Sequence, residues 1–208
     1  MLPRMAQESR EKTGSDVELA LRKLALEIER KDPATSSHLL RVADWSEEIA
    51  RCMGLSDLEV QEARLAGILH DIGKLWIKSG VLLKQDSLNE EEWRHMREHP
   101  VLGWRSLSHF LCLNRVSKGL LLHHERWDGK GYPFGISGEN IPLLARIVAV
   151  ADAFDAMIST RPYRKALSPQ KALEEIRRCR GTQFCEKAVD AFERAFRILG
   201  SLQENTGV

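Results

Sequence analysis

An all-α fold is predicted by three observations. Apolar residues recur at helical spacing through most of the 208 residues. No window alternates polar and apolar residues long enough to make a convincing strand. The periodic stretches are separated by capping residues, glycines and prolines. Together these give one bundle-like domain of about eight or nine helices.

Residues 1–14 read as a flexible polar leader. Val17, Ala20, Leu21, Leu24 and Ile28 then mark an N-terminal helix over 15–31, capped by Ser15 or Asp16. It ends near Asp32-Pro33, because the residue before a proline avoids the helical region. The main domain is expected over 32–200. Its first helix starts near Thr35 or Ser36, carries Val42, Trp45, Ile49 and Met53, and stops at Gly54. Ser56-x-x-Glu59 is a capping box for the next, which runs to His70-Asp71 and breaks at Gly73. Lys74 to Asp86 reads as a loop. Ser87-x-x-Glu90 reads as a second capping box, opening a helix with Trp93 and Met96. His99-Pro100 starts another, and Asn114 caps one that ends at His123-His124. Residues 125–142 hold four glycines and two prolines, an irregular length that is uncommon without a function. A very apolar helix follows from Leu143 to about Thr160. Ser168-Pro169 opens another, ended by Gly181, and the last spans roughly Glu186 to Leu199, with a frayed tail over 201–208.

Composition excludes several function classes. There are 31 Lys+Arg against 30 Asp+Glu, a net charge of +1, which removes the electrostatic case for a nucleic-acid polymer or a membrane surface as partner. No apolar run approaches the ~18–20 residues that span a bilayer. The N-terminus has no signal-peptide core, so a cytoplasmic location is expected. Cys52, Cys112, Cys179 and Cys185 form no CxxC pair and read as free thiols, the first three as buried or half-buried fillers.

The histidines carry the chemical signal. His70-Asp71 and His123-His124 are adjacent pairs, each where a helix meets a glycine-bearing break. Neighbours on a helix point about 100° apart, so they reach one centre only near a helix end or across two cations. A carboxylate such as Asp71 can bridge two cations, one per oxygen. Imidazole is a common ligand of divalent transition metals. Taken alone, either dipeptide is consistent with a structural or surface role.

At larger scale the motifs resemble a known family. His70-Asp71-Ile72-Gly73-Lys74 resembles the signature of the HD superfamily of metal-dependent phosphohydrolases. The run from His123 to Pro133 (HHERWDGKGYP) resembles the motif that names its HD-GYP subfamily. RIVAVADAFD, from Arg146 to Asp155, and Arg161-Pro162-Tyr163-Arg164 resemble the blocks that follow it. The resemblance covers about 32–196 and implies an all-α phosphodiesterase of the bacterial second messenger cyclic di-GMP. By the resemblance, His38, His70, Asp71 and Asp152 hold one metal, and Asp71, His99, His123 and His124 hold another. The implied cofactors are two divalent ions, iron or manganese. Two such ions activate a water to hydroxide and neutralise the phosphoryl oxygens, giving linear pGpG or GMP without a protein nucleophile.

Asp71 and Lys74 are the candidate catalytic residues, and Lys74 also reaches toward substrate phosphate. Arg161 and Arg164 are candidate phosphate contacts, because guanidinium forks suit phosphate. Tyr132 is a candidate substrate contact on the glycine-rich loop. Trp127 and Phe134 either stack a guanine or pack in the core. Asp155 and Arg146 read as buried ion-pairing groups, His95 and His109 as ordinary, and Trp45, Trp76, Trp93 and Trp104 as core. The implied partners are a cyclic dinucleotide, a diguanylate cyclase or adaptor docked on the loop, and a second copy of the chain through the N-terminal helix. That helix is otherwise the stub of a longer protein. A binding module that hydrolyses little, or a phosphohydrolase of another nucleotide, are the rival readings. The sequence departs from three-metal members at Ala34, where they carry a glutamate one turn before the first histidine.

Overall fold

In a computed structural model the structure describes residues 27, 30, 31, 33–160 and 165–205. The expected leader and most of the N-terminal helix, and with them the expected dimer contact, lie outside these residues, as do Arg161 and Arg164. Among the described residues there are nine α-helices and no strand: α1 (Pro33–Cys52), α2 (Asp57–Leu69), α3 (Ser79–Leu82), α4 (Glu90–Met96), α5 (His99–Leu107), α6 (Asn114–Leu121), α7 (Leu143–Ile158), α8 (Pro169–Arg178) and α9 (Glu186–Asn205). Three-residue to five-residue 3₁₀ turns lie at Ile72–Trp76, Leu111–Leu113 and Gly138–Asn140.

The most apolar helix is the axle of the fold. α7 packs against α1, α2, α6, α8 and α9. It buries Leu144, Ile147, Val148, Ala151 and Phe154. Phe154 meets Trp45 of α1 at 4.8 Å between ring centroids and Phe192 of α9 at 4.9 Å. The edge-on angle of 75° between Trp45 and Phe154 is one that aromatic quadrupoles favour.

Several starts and stops fall as expected. Ser56 and Glu59 form a reciprocal capping box at α2. The Ser168 hydroxyl accepts from the Lys171 amide at the start of α8. Gly54 takes a left-handed φ of 73° after α1. Others are corrected. The box at α4 is Asn89 with Glu92, because the Asn89 side chain accepts from the Glu92 amide and Glu92 returns the bond. Ser87 and Glu90 fit the same pattern two residues too early. Asn114 is the first residue of α6 and Leu113 its cap position. The stretch read as a loop from Lys74 contains the end of a 3₁₀ turn and the single turn α3. α1 takes in Pro33 and Ala34, ahead of the expected start at Thr35 or Ser36, and α9 runs on to Asn205.

Burial differs from expectation at four side chains. Trp76 and Trp93 are 47% and 48% exposed, not core. Phe134 stands out on the glycine-rich loop, 63% exposed. Cys112 is exposed, while Cys52 and Cys179 are half-buried and Cys185 is buried.

Candidate metal centre

Six segments converge on one buried cluster. His38 comes from α1, His70 and Asp71 from the end of α2 and the following turn, His99 from the start of α5. His123 and His124 follow α6, and Asp152 lies midway along α7. The convergence needs a close approach at Gly73. A Cβ there would lie 1.8 Å from the His99 carbonyl oxygen, so only glycine lets the turn after Asp71 lie against the start of α5.

Three histidines are each oriented by a carbonyl three residues back along the chain. The Nδ1–H of His70 donates to the Gly67 carbonyl at 2.7 Å, that of His99 to Met96 at 2.8 Å, and that of His123 to Leu120 at 2.6 Å. Each bond fixes the tautomer with a bare Nε2 facing inward. His38 is oriented from elsewhere: its Nδ1–H donates to Asp155 Oδ2 at 2.7 Å. Asp155 is fully buried and also accepts from Arg41 Nε at 2.6 Å and Nη2 at 3.0 Å. It is therefore the buried ion-pairing group expected. Arg146 is likewise nearly buried, paired with Glu139 at 2.7 Å and lying over Trp127, which places Trp127 in a packing role.

The inward atoms fall into two sets around one carboxylate. His38 Nε2 lies 3.2 Å from Asp152 Oδ1, and His70 Nε2 lies 3.3 Å from Asp71 Oδ2. On the other side His99 Nε2 lies 3.3 Å from Asp71 Oδ1. The two oxygens of Asp71 thus face different histidines. Ligand atoms of His38, His70 and Asp152 lie within 4.8 Å of one another, as do those of His99, His123 and His124, and those of His70, Asp71 and His123.

These donors fit a cation. The Nε2 atoms of His70, His99 and His123 are buried with no hydrogen-bond partner. Leaving such an atom unmet costs roughly 1–3 kcal/mol, so three together mark a place built for a Lewis acid. Burial pushes His99 down to about 4 and His124 to about 3, and drives His123 down as well, so these rings are neutral lone-pair donors at neutral pH. Burial also opposes charge on His38, but hydrogen bonds to Asp152 and Asp155 outweigh it and raise that ring to about 9. A cation and a proton would therefore compete for His38 Nε2. Burial disfavours the charge on Asp71, yet Lys74, His70 and His99 hold its carboxyl well below the usual range.

Lys74 reaches the centre from the 3₁₀ turn, its Nζ donating to Asp71 Oδ2 at 2.5 Å. That turn is clasped from outside by a residue the sequence did not single out. Lys31 Nζ donates to the carbonyls of Lys74, Leu75 and Ile77 at 3.2, 2.7 and 2.6 Å, using all three ammonium donors. Two more such residues are Arg41, which holds Asp155, and Glu125. The Glu125 carboxylate is buried and accepts from the amides of Phe134 at 2.7 Å and Gly135 at 3.1 Å, folding the glycine-rich loop back. The adjacency of Glu125 to the paired histidines was its one signal. Tyr132 lands at the rim, stacked on the His124 ring at 4.7 Å. Gly131 makes room for it: a Cβ there would sit 2.5 Å from the His124 carbonyl oxygen. His95 and His109 stand apart from the cluster, His95 accepting from the Lys78 amide and facing Glu98. No helix among the described residues is long and apolar enough to cross a membrane.

The HD domain family matches residues 22–187. The cyclic di-GMP phosphodiesterase response regulator RpfG of Xanthomonas campestris is 45% identical over 178 residues, covering 84% of this chain and 47% of that protein. A cyclic di-GMP phosphodiesterase of Thermotoga maritima is 42% identical over 166 residues, 79% of this chain and 45% of that one. The chain therefore spans about half the length of the curated relatives it matches. In fold it is similar to the crystal structure of a cyclic GMP-AMP-specific phosphodiesterase of Vibrio cholerae, with a TM-score of 0.68 at 19% identity over 91% of this chain and 50% of that one.

Proposed function

The chain belongs to the HD domain family, and from that premise we propose that it is a metal-dependent phosphodiesterase that hydrolyses cyclic di-GMP to linear pGpG or GMP. The observation that carries the reading is the set of three buried, unpartnered imidazole nitrogens around one shared carboxylate. The choice of substrate is supported by the two cyclic di-GMP phosphodiesterases at 45% and 42% identity.

His38, His70, Asp71 and Asp152 would hold one divalent ion, and Asp71, His99, His123 and His124 a second. A mixed imidazole and carboxylate set suits iron or manganese. When bound, two such ions supply Lewis acidity that lowers the pKa of water and offsets phosphoryl charge. The protein's own residues do the rest. Asp71 turns one oxygen to each side, and Lys74 holds that carboxylate from the rim, where its ammonium also meets a phosphate oxygen. Asp155 and Arg41 lock the His38 ring. Tyr132 covers His124 and shields that side from solvent. Arg161 and Arg164, by their resemblance to the family block, add phosphate contacts.

The test is elemental analysis of anaerobically purified protein with turnover measured on the same sample. Two ions per chain and cleavage of cyclic di-GMP, lost on chelation and restored by iron or manganese, are expected. A protein that binds no transition metal, or cleaves cyclic GMP-AMP in preference, overturns the reading. The exposure of Phe134 favours a second role, docking of a cyclase or adaptor on the same loop. Retained metals with no hydrolysis would favour that role alone.

A further inference from the structure

Trp93 and Arg97 flank the centre, and nothing in the reading above uses them. Arg97 occupies the joint between α4 and α5, two residues before His99. Its guanidinium carbon lies 5.4 Å from the Tyr132 ring centroid and 5.9 Å from that of Trp93. Tyr132 in turn stacks on His124. An exposed tryptophan, a guanidinium and two rings thus form a continuous run from the surface to the cluster.

Rings hold a guanidinium differently from a carboxylate. They engage it by cation–π attraction and leave its charge unneutralised and its N–H edges open. Other arginines are spent on carboxylates: Arg41 on Asp155, Arg126 on Asp128, Arg146 on Glu139. Among the described residues Arg97 has no carboxylate partner and its side chain makes no hydrogen bond; its side-chain contacts are the two rings.

We infer that Arg97, held by Trp93 and Tyr132, binds the second phosphodiester of a cyclic dinucleotide, the one that is not being cleaved. The inference rests on the phosphodiesterase reading above. Such a substrate carries two anionic diesters in one ring. With one at the histidine cluster, the other projects outward, where a further cation would hold it. The guanidinium fork meets two phosphoryl oxygens at once, which an ammonium does not. Arg97 therefore selects for substrates with two phosphates over simple diesters with one.

The experiment compares the metal-loaded 208-residue chain with Arg97→Met and Arg97→Lys on cyclic di-GMP and on bis(p-nitrophenyl) phosphate, which has a single diester. Loss of charge-assisted hydrogen bonds should raise the KM for cyclic di-GMP in Arg97→Met by roughly 10–100-fold. The ratio of kcat/KM for cyclic di-GMP to that for the small diester should fall at least about tenfold, with partial recovery in Arg97→Lys. A parallel loss on both substrates would reduce Arg97 to a support for Tyr132 and overturn the inference. So would an unchanged KM in Arg97→Met beside an active wild type. A wild type that cleaves only the small diester would instead overturn the cyclic di-GMP reading itself, and the second-phosphate site with it.

Discussion

Asp155→Asn separates the two halves of the centre. The native carboxylate is fully buried and accepts from His38 Nδ1 at 2.7 Å and from Arg41 at 2.6 and 3.0 Å. An amide keeps the shape but offers one acceptor oxygen, and its NH₂ faces either the ring or the guanidinium. Losing one charged, buried hydrogen bond costs about 1.5–3 kcal/mol. The Arg41 share is smaller, since that side chain is 44% exposed and water screens and re-solvates it. The expected net loss of stability is about 1–3 kcal/mol, a fall in Tm of about 2–4 °C per kcal/mol for a domain of this size. The effect on metal is sharper. With its tautomer no longer fixed, His38 presents Nε2 only part of the time, and loss of such a partner weakens metal affinity by about 10–100-fold. His99, His123 and His124 take nothing from Asp155. Metal titration followed by calorimetry should therefore show one site weakened and one retained. Equal loss at both sites, or at neither, would refute the division of the cluster into two sets around Asp71.

Three further outcomes follow from the same geometry. Asp71→Asn should lower occupancy at both sites and cut turnover by orders of magnitude with the helical circular dichroism kept; two retained metals with near-native turnover would remove Asp71 as the bridge. Gly73→Ala places a methyl 1.8 Å from the His99 carbonyl oxygen, so the turn and α5 must separate, at a cost of about 1–3 kcal/mol in melting experiments; a native Tm would mean the approach is looser than described. Asp128 is held down at about 2 chiefly by the hydrogen bond from Arg126. Its folded value lies below the unfolded one near 3.9, so its stabilisation is present above about pH 4 and fades as pH falls toward about 2. The gap in Tm between wild type and Asp128→Asn should close over that window, and a gap that widens in acid would contradict the pairing.

What the sequence could reveal divides along the length scale of the interaction. Ser56 and Ser168 were legible as caps because their partners lie three residues away. Even there the pattern was ambiguous at α4, where Ser87-x-x-Glu90 and Asn89-x-x-Glu92 compete and only packing selects the second. Helical spacing placed Trp93 on a plausible core stripe, but α4 is two turns long and has no buried residue, so its tryptophan lies outward. The resemblance supplied the seven histidines and aspartates, which the fold gathers into one cluster. It did not reveal what steadies them. Arg41 meets Asp155 across 114 residues and Lys31 meets the 3₁₀ turn across 43 to 46, and nothing local marks either as more than a surface cation.

The histidine tethers have a mechanical meaning. A ring bonded to a carbonyl three residues back is steered by that short stretch of chain. When the end of α4 or of α6 shifts by a fraction of an ångström, the tether of His99 or His123 shifts with it. His38 has no such freedom, because its orientation is borrowed from α7 through Asp155. α1 and α7 therefore behave as a single clamp carrying His38, Asp152 and Asp155, while the other side of the cluster can ride on smaller, separable pieces. Any adjustment of the gap to the size of what enters it would come from that second side, where Tyr132 and the glycine-rich loop also sit.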